Sequence, residues 1–211
     1  MKKVFAALLA TLAIASGAQA TENRAFDGPY VGAQIGSVGR SLESTLDAPF
    51  ANSKDSQNGF EYGLFVGHDW DSGGKLVFGV EAGVANGAPG FSYVSVYSTT
   101  NISGDLVLDT DPKWSYDLTA RAGVKASHDV LFYGRAGYGG ERLSIGGVLI
   151  SQNPYKADRY EETGWSEGLV LGGGVELAVV KSINMRVEYR HRDMKGGYAG
   201  HQILGGIAYR F

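Results

Sequence analysis

The chain has 211 residues with 19 basic and 22 acidic side chains, a formal charge of −3, and no cysteine. That balance gives no support to nucleic-acid binding, and without cysteine there is no disulfide framework, thiolate metal site or lipid-attachment cysteine. Glycine accounts for 32 residues, about twice the ordinary share of ~7 %; these glycines fall inside alternating apolar segments, where they oppose helix and mark strands that pass close to bulky neighbours.

The amino terminus reads as a secretory signal. Lys2 and Lys3 form a basic start, Val4 to Ile14 is apolar, and Ala18-Gln19-Ala20 is a small-residue cleavage site. The expectation is a signal peptide over 1–20 and a single domain over 21–211 beginning at Thr21. Without Lys2 and Lys3, 17 basic residues face 22 acidic ones. Beyond the signal no stretch approaches eighteen apolar residues, so no spanning helix is expected, and there is no linker or tandem repeat.

Eight segments then alternate with period two, which puts successive side chains on opposite faces of a strand. The first, Tyr30 to Val38, sets Val31, Ala33 and Ile35 against Gly32, Gln34 and Gly36. The second, Phe60 to Trp70, sets Tyr62, Leu64, Val66 and Trp70 against Glu61, Gly63, Phe65, Gly67 and Asp69. After the hairpin residues Asp71-Ser-Gly-Gly74, Lys75 to Ala85 sets Leu76, Phe78, Val80, Ala82 and Val84 against Gly79, Glu81 and Gly83. The fourth, Trp114 to Ala126, opposes Trp114, Tyr116, Leu118, Ala120, Ala122 and Val124 to Asp117, Thr119, Arg121, Gly123 and Lys125. The fifth, Val130 to about Arg142, opposes Phe132, Ala136 and Tyr138 to Tyr133, Arg135 and Gly137. The sixth, Trp165 to Val180, opposes Leu169, Leu171, Val175, Leu177 and Val179 to Gly172, Gly174 and Glu176. The seventh, Ile183 to His191, alternates Met185, Val187 and Tyr189 with Asn184, Arg186, Glu188 and Arg190. The eighth ends the chain, with Ile203, Gly205, Ile207, Tyr209 and Phe211 on one face and Gln202, Leu204, Gly206, Ala208 and Arg210 on the other.

Connections alternate long and short: 39–59, 71–74, 86–113, 127–129, 143–164, 181–182 and 192–200. This asymmetry, with charges sharing a face with the glycines and aromatics a face with Leu and Val, predicts an all-β, eight-stranded antiparallel up-and-down transmembrane barrel with lipid outside and both termini periplasmic. A water-soluble carrier barrel would invert the faces. Phe91 to Thr99 and Ile102 to Leu108 also alternate; they read as strand extensions, or as an extra pair making ten strands, the less favoured count.

Several motifs resemble the transmembrane domain of outer-membrane protein A and the small porin-like, opacity-type proteins grouped with it. They are Tyr30-Val-Gly-Ala-Gln-Ile-Gly36, Gly79-Val-Glu-Ala-Gly83, Leu118-Thr-Ala-Arg-Ala-Gly123, Tyr133-Gly-Arg-Ala-Gly137, Gly172-Gly-Gly-Val-Glu176, Met185-Arg-Val-Glu-Tyr189 and Gly206-Ile-Ala-Tyr-Arg-Phe211. The resemblance implies a Gram-negative outer-membrane barrel with roles in envelope integrity and surface adhesion, and in some members haemin or small-solute interaction. It also places Glu81, Arg121, Glu176 and Arg186 at interior charge positions. The terminal row Ile203, Ile207, Tyr209 and Phe211 is similar to the strand signal read by the barrel assembly machinery. The sequence stops at Phe211, without the peptidoglycan-binding domain of larger relatives, so wall tethering is not expected.

Inside, Glu81, Glu176 and Glu188 face Arg121, Arg135 and Arg186 near mid-strand, which predicts an ion-pair network, because an isolated buried charge is costly. A barrel of eight strands has room for side chains and little else, so a filled lumen is expected, with a narrow diffusion channel as the alternative. Arg190, His191, Arg192 and Lys195 read as a basic rim for lipopolysaccharide phosphates, beside the reading of a merely solvated rim. His191 and His201 can face each other across the last two strands; a metal or haem site there stays an alternative to solvated histidines, and neither a metal nor a cofactor is assigned. No catalytic group is assigned either. His191-Arg192-Asp193 lacks the serine of a lipid-modifying hydrolase, and Gly172-Gly-Gly174 lacks the helix and Lys-Ser/Thr of a phosphate loop. The reading is therefore a non-enzymatic structural barrel whose polar loops suit a host or phage ligand, with a haemin- or host-ligand-binding protein as a further alternative.

Overall fold

A computed structural model describes residues 25–42, 56–87, 91–98, 103–152, 155–195 and 198–211. The expected signal peptide, 1–20, lies outside them. The described residues form nine strands: β1 (Gly28–Leu42), β2 (Ser56–Asp71), β3 (Leu76–Asn86), β4 (Phe91–Ser98), β5 (Ser103–Lys125), β6 (Val130–Gln152), β7 (Tyr155–Val180), β8 (Ile183–Met194) and β9 (Tyr198–Arg210).

Eight of the nine close a ring, and every pairing is antiparallel. β1 pairs with β2 and, across the closure, with β9, from Tyr30↔Arg210 to Leu42↔Tyr198. β3 pairs directly with β5, from Leu76↔Val124 to Asn86↔Trp114. The ring is thus β1-β2-β3-β5-β6-β7-β8-β9, a closed eight-stranded barrel. β4 stays outside it, paired only with the first part of β5 among the described residues, from Phe91↔Thr110 to Ser98↔Ser103. The two extra alternating segments therefore form a hairpin above the ring and do not enlarge it to ten strands.

The expected loop 143–164 is corrected: β6 and β7 stay paired as far as Gln152↔Tyr155. β5, β6 and β7 run 23, 23 and 26 residues, whereas ~9–11 suffice to cross a bilayer. Backbone pairing does not need a lipid-facing apolar row, so it continues beyond the bilayer. A register shift between Pro112 and Ser115 marks the change; proline cannot donate to the ladder, and such bulges bend the strand that carries them.

Both described chain ends lie with the three short turns at one end of the barrel. There the Phe211 amide donates to the Pro29 carbonyl and the Arg210 amide to that of Ser182. In the β2–β3 turn Gly73 takes φ +79°, a left-handed conformation that glycine adopts without strain, and its amide donates to the Asp71 carboxylate.

The burial of alternate residues runs opposite to that of a soluble protein. Leu118, Val187 and Ile203 are each more than 60 % exposed, while Glu81 and Arg190 are at most 2 % exposed. Leu76, Phe78, Val80 and Val84 of β3 face out; Val77, Gly79, Glu81, Gly83 and Ala85 face in. Exposed aromatics gather in two belts. Trp70, Phe78, Phe132, Tyr209 and Phe211 lie towards the turn end; Tyr62, Trp114, Tyr138, Trp165 and Tyr189 lie towards the other. An apolar outer band between aromatic girdles is the surface that hydrocarbon and its two interfaces require.

Candidate functional site

Strand alternation delivers a charged row to the lumen from nearly every wall. β8 alone turns Asn184, Arg186, Glu188, Arg190 and Arg192 inward, one above another, because each is two residues from the next. Glycine makes the space: a Cβ on Gly32 would meet the Phe65 ring, and one on Gly79 the Asp69 carboxylate.

Glu81 sits at the centre. Its Oε2 accepts from Arg186 Nη1 at 2.5 Å and from the Tyr30 hydroxyl at 2.9 Å. Its Oε1 accepts from Arg135 Nη1 at 2.8 Å and Arg186 Nη2 at 2.9 Å, and Arg121 Nη1 lies 3.8 Å from Oε2. Towards the turn end, Glu176 binds Arg121 Nη2 and Arg210 Nη2, both at 2.7 Å, and the Asn184 amide at 2.7 Å. Arg210 also reaches Asp69 at 2.6 Å, and Arg121 Nε lies 3.5 Å from the other Asp69 oxygen. Towards the other end, Glu188 accepts from Arg190 Nη2 at 2.6 Å, from the Tyr133 hydroxyl at 2.7 Å and from Arg135 Nη1 at 3.2 Å. Asp117 meets Arg135 at 2.8 Å, Arg190 at 3.1 Å and Arg192 at 3.2 Å.

Each of these five carboxylates is thus held by at least two guanidinium groups, and shared arginines join them into one network. Three cations also lie against rings: Arg186 3.6 Å over Phe65, Arg121 4.2 Å over Tyr133 and Arg210 4.6 Å over Tyr30. In low dielectric such contacts offset desolvation only where lone pairs and donors are matched.

The structure brings together all six residues expected to pair: Glu81, Arg121, Arg135, Glu176, Arg186 and Glu188. It adds Asp69, Asp117, Arg190, Arg192 and Arg210, which parity alone places on the inner face. It also adds Phe26, fully buried among Val77, Leu131 and Tyr133 at the turn end. The Ala25 carbonyl beside it accepts from Asn184 Nδ2 at 3.1 Å. Nothing in the alternation marks this segment, since it precedes the first strand.

The basic rim is corrected. Arg190 and Arg192 do not face lipopolysaccharide; they point into the lumen, buried, because they share parity with Arg186 and Glu188. His191 and Lys195 remain on the outside. His191 stands opposite His201 on the outer face of the β8–β9 pair. Among the described residues no group of three or more His, Cys, Asp or Glu is arranged to hold a metal ion.

Ion-paired inside and apolar outside, this is the wall of a membrane barrel. The model of the outer membrane protein beta-barrel domain matches residues 5–211, and the chain belongs to that family of outer-membrane β-barrel proteins. Solved structures to which the chain is similar include Ail, the attachment invasion locus protein of Yersinia pestis, in complex with the heparin analogue sucrose octasulfate. It is 17 % identical, with a TM-score of 0.49 over 87 % of this chain and 99 % of that one. Neisserial surface protein A is 17 % identical over 87 % and 97 %, with a TM-score of 0.45. OprG from Pseudomonas aeruginosa is 12 % identical over 90 % and 99 %, with a TM-score of 0.46. No curated protein matches the chain.

Proposed function

We propose that the chain is a non-enzymatic scaffold of the outer membrane, its lumen closed by side chains and its activity carried by the strands that extend beyond the bilayer. The observation that carries this reading is Glu81 of β3, which holds Arg186 from the facing strand β8 and Arg135 from β6. Below it the Glu176 cluster and Phe26 occupy the remaining section, and above it Asp117, Arg190 and Arg192. A solute has no continuous water path through a section so filled.

In this reading the short turns and both termini are periplasmic, as the turn asymmetry of such barrels supports. The long ends of β5, β6 and β7, with β4 beside them, then stand on the cell surface, where a host or phage ligand meets them. The exposed row Ile203, Ile207, Tyr209 and Phe211 is the part the assembly machinery reads. Lipid and lipopolysaccharide are the surrounding partners. The amino-terminal signal, 1–20, delivers the chain and is removed.

Conductance in planar bilayers tests the closed lumen. Wild-type protein gives no steady large open state, and Glu81→Ala or Arg186→Ala produces opening events by freeing the central pair. A stable open state in wild type contradicts the reading and favours the diffusion channel.

A further inference from the structure

We propose that His191 and His201 form a surface site for one divalent transition-metal ion of the class that takes imidazole nitrogen, such as zinc, copper or nickel. The two residues are direct register partners on β8 and β9. Their rings lie 4.7 Å apart, centroid to centroid, and 37° from coplanar. They occupy the outward row one step above Tyr189 and Ile203, with Leu171 of β7 on the other side.

The ring nitrogens are not equivalent. His191 Nδ1 is buried without a hydrogen-bond partner, so Nε2 is the nitrogen that His191 presents. His201 Nδ1 lies 2.5 Å from the Tyr189 hydroxyl. With the proton on Nδ1 and donated to the phenol oxygen, His201 Nε2 keeps its lone pair free. A hydrogen bond at one ring nitrogen that leaves the other for a metal is the usual arrangement at histidine sites.

Two charged side chains stand near the pair, Asp193 and, further along, Lys195. Asp193, exposed and two residues further along β8, stands on the same face as His191. Metal–nitrogen bonds of ~2.0–2.1 Å in a tetrahedral site set the two nitrogens roughly 3.3 Å apart, which rings at this separation reach by rotating about their side-chain bonds. With no third preformed donor among the described residues, the remaining positions open to water. The site is a two-nitrogen chelate held by backbone pairing, and an ion there ties β8 to β9 near the end of their hairpin.

The test uses the full chain folded in lipid vesicles. Titration calorimetry with zinc gives one ion per chain, and copper gives an electron paramagnetic resonance signal split by two imidazole nitrogens. His191→Ala and His201→Ala each abolish stoichiometric binding and the two-nitrogen splitting. Tyr189→Phe keeps the splitting and lowers affinity about tenfold, as removal of a supporting hydrogen bond does. His128→Ala, in the turn between β5 and β6, changes nothing. Folding of every variant is checked by heat-modifiable gel mobility. Absence of stoichiometric binding in folded wild type, or its survival in both histidine variants, overturns the proposal.

Discussion

Single residues in this barrel matter according to what they would leave behind. Removing Glu81 takes from buried Arg135 one of its three carboxylate partners and from buried Arg186 the carboxylate it is ion-paired to among the described residues. Breaking a buried pair from one side costs about 3–5 kcal/mol, so Glu81→Ala lowers the unfolding free energy in vesicles by that amount, read from urea titration. Asp129→Ala, in an exposed turn, shifts it by no more than about 0.5 kcal/mol. A result in which the two substitutions cost the same contradicts the network. Space is equally constrained at Gly168, where a Cβ would fall on the Asp193 carbonyl of the neighbouring strand. Gly168→Val reduces the fraction of chain that reaches the heat-modifiable folded form, and a wild-type yield contradicts the close approach.

Strands respond to depth and to their place in the ring. Val187 lies mid-strand on the outer face of β8, while Trp70 lies near the turn end of β2. Val187→Arg destabilises by about 2–4 kcal/mol and Trp70→Arg by about 0–1 kcal/mol for its charge, because the penalty follows distance from the bilayer midplane. Equal penalties contradict the placement of the band. β4 is dispensable in a way its neighbours are not, since β3 and β5 pair without it. Replacing residues 88–111 with a short turn leaves heat-modifiable mobility intact; its loss shows that closure needs the hairpin. Alternation exposed the eight spans because one face meets lipid. It offered Ile102 to Leu108 as an extension, the start of β5, but did not show that β6 and β7 continue well past the bilayer, where neither face has a fixed solvent. Arg190 and Arg192 show the opposite lesson. Their parity with Arg186 was readable, but closeness to the rim in sequence drew them outward, and parity won because a strand cannot turn one side chain without turning the rest. Phe26 carried no periodic signal and became visible only in three dimensions.

For the whole molecule, the central claim is that apolar side chains look away from the axis and charged ones toward it. The chain contains no cysteine, so single cysteines can carry nitroxide labels without background. Phe78, Val80 and Val84 on β3 and Ile207 on β9 are outward positions. Val77, Ala85, Leu204 and Ala208 are inward ones that leave the ion pairs intact. Electron paramagnetic resonance in lipid vesicles then measures access by oxygen, which concentrates in hydrocarbon, at each label. The account predicts high oxygen access at the first four positions and low access at the second four, alternating residue by residue along β3. Uniform access, or the reverse alternation, contradicts it.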